Sequence, residues 1–234
     1  MPPAAPPAAP HRWSPRPVPT PLTNPPLAAL LLAAGRARRF GSDKLLAPLA
    51  DGTPVALAAA RAIQAGLPPG TLLIAVIRPE QTTLATLLRQ AGWHPVTSPQ
   101  AALGMGHSLA AGVDASREAA GWLVALADMP YLQPASVAAV AEALTAGAPL
   151  AAPCYRGEGK QRGHPVGFGA AYREELLALT GDSGARQILQ REQERLRLLD
   201  CDDPGVLQDV DTPADLSWDQ GHLGTKTGYC PSNT

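Results

Sequence analysis

Short runs built almost wholly of apolar residues recur along this chain, and each is followed by a stretch whose apolar positions fall at helical spacing. Residues 27–33 form such a run, ending at Gly35, and residues 54–64 after it are Ala-rich and helical until Gly66 and Pro68 stop them. Residues 71–77 are apolar and read as a strand; residues 81–90 carry Leu84, Leu87 and Leu88 at helical spacing and end at Gly92. A short strand at 94–96, a helix at 105–115 behind Gly104 and Gly106, and a buried strand at 122–127 follow. Pro134 then stands at the first position of a helix over 135–144, where its missing N–H costs nothing. Such alternation leaves little choice of architecture. Strands apolar on both sides must be covered on both sides, and parallel strands need long, usually helical, crossovers. The expected class is therefore α/β with a mainly parallel sheet between helices. The pattern further predicts strands at 150–152, 165–168, 197–199 and 206–210. It places helices at 172–179, at 185–195 behind an Asp182 or Ser183 cap, and from Thr212-Pro213 onward.

The 234 residues suit one such domain, with boundaries expected at 27 and 218. Residues 1–26 hold eleven prolines and are expected to be an extended, disordered extension, and residues 219–234 a flexible tail. The charge is −1 and aromatics make up 4% of the chain, so neither a basic stripe nor stacking platforms for nucleic acid are expected. The longest apolar stretch is far short of the ~20 residues a membrane span needs. Reading that stretch as a secretory leader would sever Gly35 from Lys44 in what reads as one loop. Three cysteines, Cys154, Cys201 and Cys230, lack the spacing of a zinc site, and an odd number suits a reducing compartment, so a cytoplasmic location is expected.

In parallel sheets ligands bind beyond the carboxyl ends of strands, so chemistry is sought there. The first strand ends in Leu32, and the small residues Ala33, Ala34 and Gly35 after it let a ligand approach the backbone; Arg36, Arg38, Arg39 and Lys44 follow. Cations on such a turn suit a triphosphate. The segment is neither a P-loop nor a dinucleotide fingerprint, whose second and third glycines would stand at Ala37 and Phe40. The strand at 122–127 runs into Asp128, a carboxylate at the ligand edge that suits Mg²⁺, a hard cation held by one or two carboxylates plus phosphate oxygens. Asp209 and Asp211 flank Val210; with Val210 in the core, both carboxylates face the other way and either can join Asp128, although Asp211 also fits a helix cap. His164 opens a strand behind Gly163. Residues 104–108 and 181–186 are glycine-containing entries to helices, the second a place for an anion or for ordinary capping.

In this order the segments LAAGRARRFGSDKLLAPL, GMGHSLAAGV, LADMPYL, GHPVGF, GDSGAR and DVDTPADL resemble the NTP-transferase family that contains molybdenum cofactor cytidylyltransferase and its guanylyltransferase relative. The first segment is common to many nucleotidyltransferases; the ordered set, spanning about 27–216, is far more specific. The resemblance implies a three-layer α/β/α fold of the nucleotide-diphospho-sugar transferase (glycosyltransferase-A) type. It also implies a reaction: a phosphate of the pterin attacks the α-phosphorus of an NTP and pyrophosphate leaves. By resemblance, Leu32, Ala33, Ala34 and Gly35 cradle the nucleotide, Arg39 and Lys44 neutralise its phosphates, and Gly104 and Ser108 reach the base. Asp128 binds Mg²⁺ with Asp209 or Asp211, and His164, Asp182 and Arg186 face the pterin. Ala33-Ala34-Gly35 resembles the cytidylyltransferases, where the guanylyltransferases usually have Ala-Gly-Gly, so CTP is the expected donor. Ala37 and Phe40 depart from the usual Ser or Gly and Met. A molybdoenzyme or its chaperone is the implied recipient of the product. The alternatives are GTP as donor, another phosphorylated small molecule as acceptor, and a non-catalytic carrier of the pterin, which retention of Lys44 and Asp128 opposes.

Overall fold

A computed structural model describes residues 25–35, 40, 43–157, 160–182 and 184–217. The expected tail at 219–234, nearly all of the expected extension at 1–26, and Arg39, Ser183 and Cys230 lie outside the described residues. Eight strands form one sheet: β1 (Leu27–Leu32), β2 (Leu72–Ile77), β3 (His94–Thr97), β4 (Gly121–Leu126), β5 (Leu150–Tyr155), β6 (Gln161–Arg162), β7 (Val166–Gly169) and β8 (Leu196–Cys201). The helices are α1 (Val55–Ala65), α2 (Thr82–Gln90), α3 (Met105–Asp114), α4 (Pro134–Thr145), α5 (Arg173–Leu177) and α6 (Arg186–Arg191).

The period of two explains why β1 is apolar throughout. Leu27, Ala29 and Leu31 enter a core with Ile63 of α1, Leu84 and Leu88 of α2, and Val137 and Val140 of α4. Ala28, Leu30 and Leu32 enter the opposite core with Leu109 and Val113 of α3, Leu176 of α5 and Ile188 of α6. Each leucine, isoleucine or valine so buried contributes about 1.5–3 kcal/mol. The helices carry the matching stripes: Val55, Ala56, Ala59, Ala60 and Ile63 on α1 are all buried, at spacings of one, three and four. Among the described residues no helix is long and apolar enough to cross a membrane.

β3, β2, β1 and β4 are parallel in that order. β7 is antiparallel to both β4 and β5, and β5 is parallel to β8. β6 continues the line of β7 along the same edge of β5, interrupted at Gly163, His164 and the cis His164–Pro165 bond. This break falls where the carboxyl ends of β4 and β5 lie, and it places His164 at the ligand edge.

Several expectations need correction. Residues 206–210 are not a strand. Asp203 accepts from Gly205 N–H at 2.9 Å and starts a 3-10 turn, Pro204–Leu207, after which Val210 N–H donates to the Asp128 carbonyl at 2.8 Å. The helix expected over 185–195 closes at Arg191 and has no side-chain cap bond at Ala185, so Asp182 does not cap it. The segment after Pro213 is a 3-10 turn, Pro213–Ser217. Its cap runs backward: Asp215 Oδ2 accepts from the N–H groups of Asp211 and Thr212, which frees Asp211 from capping. α5 is shorter than expected because the 3-10 turn Ala170–Tyr172 precedes it.

Candidate active site

The ligand edge is built where β1, β2 and β4 end together. Ala33 N–H donates to Val76 O at 2.8 Å and Ala127 N–H to Leu32 O at 3.1 Å, so the 33–35 turn and Asp128 emerge side by side from neighbouring strands. The carbonyls of this turn are taken up by the loop after β2. Gln81 Nε2 donates to Ala33 O at 3.1 Å, and Arg78 Nη1 donates to Ala34 O at 2.9 Å and to Gly35 O at 2.6 Å.

Lys44 closes the same edge. Asp43 accepts from Leu45 N–H at 3.3 Å and starts the 3-10 turn Lys44–Leu46, which buries Leu45 and turns the Lys44 side chain inward. Lys44 Nζ lies 2.7 Å from Asp128 Oδ2 and 3.3 Å from Asp211 Oδ1, with side-chain exposures of 12%, 22% and 44% for the lysine and the two aspartates. Burial pulls the ammonium down, but Asp128 and then Asp211 more than offset this and hold it above the ordinary lysine value. Asp128 Oδ1 is buried with no hydrogen-bond partner. An unsatisfied carboxylate oxygen next to a second carboxylate is a fitting donor set for a hard divalent cation. Among the described residues no three His, Cys, Asp or Glu side chains converge, so phosphate oxygens and water would have to complete its coordination.

Beyond this cluster the cleft changes character. Leu32, Leu126, Met105, His164 and Phe168 help line a cavity of about 350 Å³, and Arg162 and Arg186 both border it. Burial, followed by the like charge of Arg186, lowers the Arg162 guanidinium below the usual arginine value. Neither arginine has an acidic partner among the described residues. Burial also pushes the His164 imidazole below its usual range, against the opposing hydrogen bond to the Val124 carbonyl; Arg162 lowers it further and Asp128 raises it. The ring is thus neutral at pH 7, with a buried Nδ1 that finds no partner.

The two glycine-containing helix entries are far apart in sequence but are pressed together at Gly106 and Gly181. Gly106 N–H donates to Gly181 O at 2.8 Å. A Cβ on Gly106 would stand 2.7 Å from Thr180 O, and one on Gly104, whose φ is +135°, 2.2 Å from the Gly181 backbone. Glycine is the residue that permits both the backbone conformation and the approach. The structure therefore gathers Ala33, Ala34, Gly35, Lys44, Asp128 and Asp211 at one edge, and His164 and Arg186 around the adjoining cavity, while Gly104 packs against the Gly181 backbone next to Met105 of the cavity wall. Ser108 is buried on α3, Asp182 is exposed at the Gly181 turn, and Asp209 is half-buried beside Val210. Sequence reasoning missed Arg162, which stands in a two-residue strand with no pattern, and the pair Arg78 and Gln81, which act from 43 to 48 positions away.

Comparison with known proteins identifies the family and the fold. The family model of the MobA-like NTP transferase domain matches residues 29–196. The chain is 30% identical to purine catabolism protein PucB of Bacillus subtilis (strain 168), over 82% of this chain and 95% of that one. It is 30% identical to nicotine blue oxidoreductase of Paenarthrobacter nicotinovorans, over 80% and 93%. Among solved structures, Rv0371c from Mycobacterium tuberculosis H37Rv superposes with a TM-score of 0.69 at 26% identity, covering 83% of this chain and 96% of that one. A Rv0371c structure in complex with manganese superposes with a TM-score of 0.66 at 24% identity, covering 82% and 96%. A nucleotidyl transferase from Methanothermobacter thermautotroptrophicus, Mth528, gives 0.67 at 25% identity, covering 81% and 93%.

Proposed function

We propose, from the premise that this chain belongs to the MobA-like NTP transferase family and is a nucleotidyltransferase, that it transfers CMP from CTP to the phosphate of a molybdopterin-type molybdenum cofactor. An acceptor phosphate oxygen attacks the α-phosphorus, the bond from that phosphorus to the β-phosphate oxygen breaks, and pyrophosphate departs. The observation that carries the reading is the Lys44–Asp128–Asp211 cluster beside the 33–35 turn. Nucleotidyl transfer needs positioning and charge neutralisation rather than a covalent partner from the protein, and this edge offers those.

In this reading the N–H groups of Ala34 and Gly35 hold the nucleotide, with Gly104 and Ser108 on its base side. Lys44, with Arg39 from outside the described residues, balances the charge of the triphosphate. Asp128 and Asp211, rather than Asp209, hold a divalent cation, for which we propose Mg²⁺; the manganese complex of Rv0371c is consistent with a cation on this fold. When bound, the cation supplies positive charge to the phosphate oxygens. The cavity beside Arg162, His164 and Arg186, with Asp182 at the Gly181 turn, receives the acceptor: apolar walls for a ring system, and for its phosphate two guanidiniums that have no acidic partner among the described residues. CTP is preferred to GTP on the likeness of Ala33-Ala34-Gly35 to the cytidylyltransferases. A cytoplasmic location and delivery to a molybdoenzyme or its chaperone accompany the reading.

The test is pyrophosphate release by purified protein with Mg²⁺ and molybdopterin or molybdenum cofactor, comparing CTP, GTP, ATP and UTP. Release with CTP alone supports the full reading. Release with GTP keeps the reaction and overturns the base assignment, and silence with all four in folded protein overturns the acceptor. One relative is named as a nicotine blue oxidoreductase, which favours a second reading, reduction of a small molecule in the same cavity. Oxidation of NADH or NADPH at 340 nm with such a substrate, unaffected by Lys44→Met, would establish it instead.

A further inference from the structure

We infer that Arg78 is a positioning residue for nucleotide binding: its guanidinium, with Gln81, turns the carbonyls of the 33–35 segment away from the cleft and so aims the N–H groups of Ala34 and Gly35 into it. The inference rests on the family's NTP chemistry and adds a residue that neither the motif nor the chemistry of transfer names.

In an extended strand successive carbonyls point to opposite sides. Here three in a row, those of Ala33, Ala34 and Gly35, accept from one loop, at 3.1, 2.9 and 2.6 Å. A trans peptide unit is planar, with its N–H opposite its C=O. The peptide units that give up the carbonyls of Ala33 and Ala34 must therefore direct the N–H groups of Ala34 and Gly35 away from Arg78. Among the described residues neither N–H donates to a protein acceptor, although Ala34 is buried. The result is a turn that offers donors, which suits a ligand rich in acceptors such as a triphosphate.

The loop that does this is itself held. Arg78 N–H donates to Gln81 Oε1 at 2.8 Å, so the two clamping side chains are fixed relative to each other. Arg78 Nε donates to Glu80 Oε1 at 2.7 Å, which fixes the plane of the guanidinium. Gln81 is buried, and the Arg78 side chain is 15% exposed. Lysine at position 78 would supply a charge and a donor but not the rigid fork that serves Glu80 and the turn at once. Nothing in the clamp touches the Lys44 cluster or the cavity bordered by Arg162 and Arg186, so its loss should weaken one substrate and not the other.

The experiment measures CTP affinity by calorimetry with Mg²⁺ and no acceptor, then steady-state constants for both substrates, in wild type, Arg78→Ala and Arg78→Lys. Thermal melting of each variant confirms that it is folded. Arg78→Ala is expected to weaken CTP about tenfold, the loss of roughly one charge-assisted hydrogen bond, in Kd and in the KM for CTP alike. The acceptor KM should stay within about twofold, Arg78→Lys should fall between, and guanidinium chloride at about 20 mM should restore part of the affinity of Arg78→Ala only. An unchanged CTP Kd in folded Arg78→Ala overturns the inference, as does an equal loss for both substrates, which would mark a merely structural residue. Wild type without affinity for any NTP would sink the proposed function and this inference together.

Discussion

Replacing Lys44 by methionine keeps the length of the side chain and removes the charge that Asp128 and Asp211 share. In the native arrangement the ammonium makes two short contacts, 2.7 and 3.3 Å, at 12% exposure. A hydrogen bond to a charged group contributes about 1.5–3 kcal/mol when desolvated, and an exposed ion pair about 0–1. Asp128 at 22% exposure lies near the first regime and Asp211 at 44% near the second, which together give about 2 kcal/mol. For a domain of this size that is a fall in Tm of about 4–8 °C at pH 7. The same cluster makes a second, opposite demand. Two carboxylates without a cation between them are an improved divalent site, so millimolar Mn²⁺ should return a larger part of the lost Tm to Lys44→Met than it adds to wild type. The pH behaviour also has a definite sign. The Lys44 pKa is raised in the folded state, so its contribution is fully present below 10.5 and is lost as pH rises beyond that value. Wild type and Lys44→Met should therefore differ by a constant amount from pH 7 to 10 and converge above pH 10.5. Melting curves with EDTA, with Mn²⁺ and across this pH range measure all three. A fall under 1 °C, or a fall that Mn²⁺ leaves untouched, would refute the account of the cluster as a charge-balanced cation site.

Three further outcomes follow from the same geometry. The folded-state pKa of His164 is depressed, so wild type should lose stability as pH falls below 6.5, and His164→Gln should show a flatter profile between pH 6.5 and 5 in denaturant titrations. Gly106→Ala forces a methyl within 2.7 Å of Thr180 O and should cost about 1–3 kcal/mol in the same assay while lowering turnover, because the helix entry and the 180–182 turn must part. Asp203→Ala leaves Gln133 N–H, Ser136 Oγ and Gly205 N–H without their acceptor and should cost about 3 kcal/mol by chemical denaturation, with CTP affinity kept in the protein that remains folded.

The parallel core was legible because its signal is local and redundant: β1 fills two cores with one apolar run, and α1 ends where Gly66 and Pro68 say it should. The last third was less so. Residues 206–210 are apolar enough for a strand, but Asp203 captures the Gly205 N–H in a local turn, and Val210 is claimed by the Asp128 carbonyl, a long-range bond that no window of sequence contains. The candidate site divides the same way. Strand ends pointed to the 33–35 turn and to Asp128, whereas the position of Asp211 beside Lys44 depends on Asp215, which caps the final turn, and on a bond across 167 positions. Arg78 and Arg162 carried no motif: only the folded chain brings Arg78 to the carbonyls of the 33–35 turn and Arg162 to the cavity that Arg186 also borders.

The bond from Val210 N–H to the Asp128 carbonyl, which brings Asp211 to Lys44 across 167 positions, belongs to a segment that serves two ends at once. Val206 and Val210 are wholly buried in the core that β1 shares with α1 and α4, and Asp203 holds the entry to α4 through Gln133 N–H and Ser136 Oγ. The same few residues that close this core therefore carry Asp211 to the candidate site. A substitution that loosens the packing of Val206 or Val210 would disturb the charge cluster without touching any of its members.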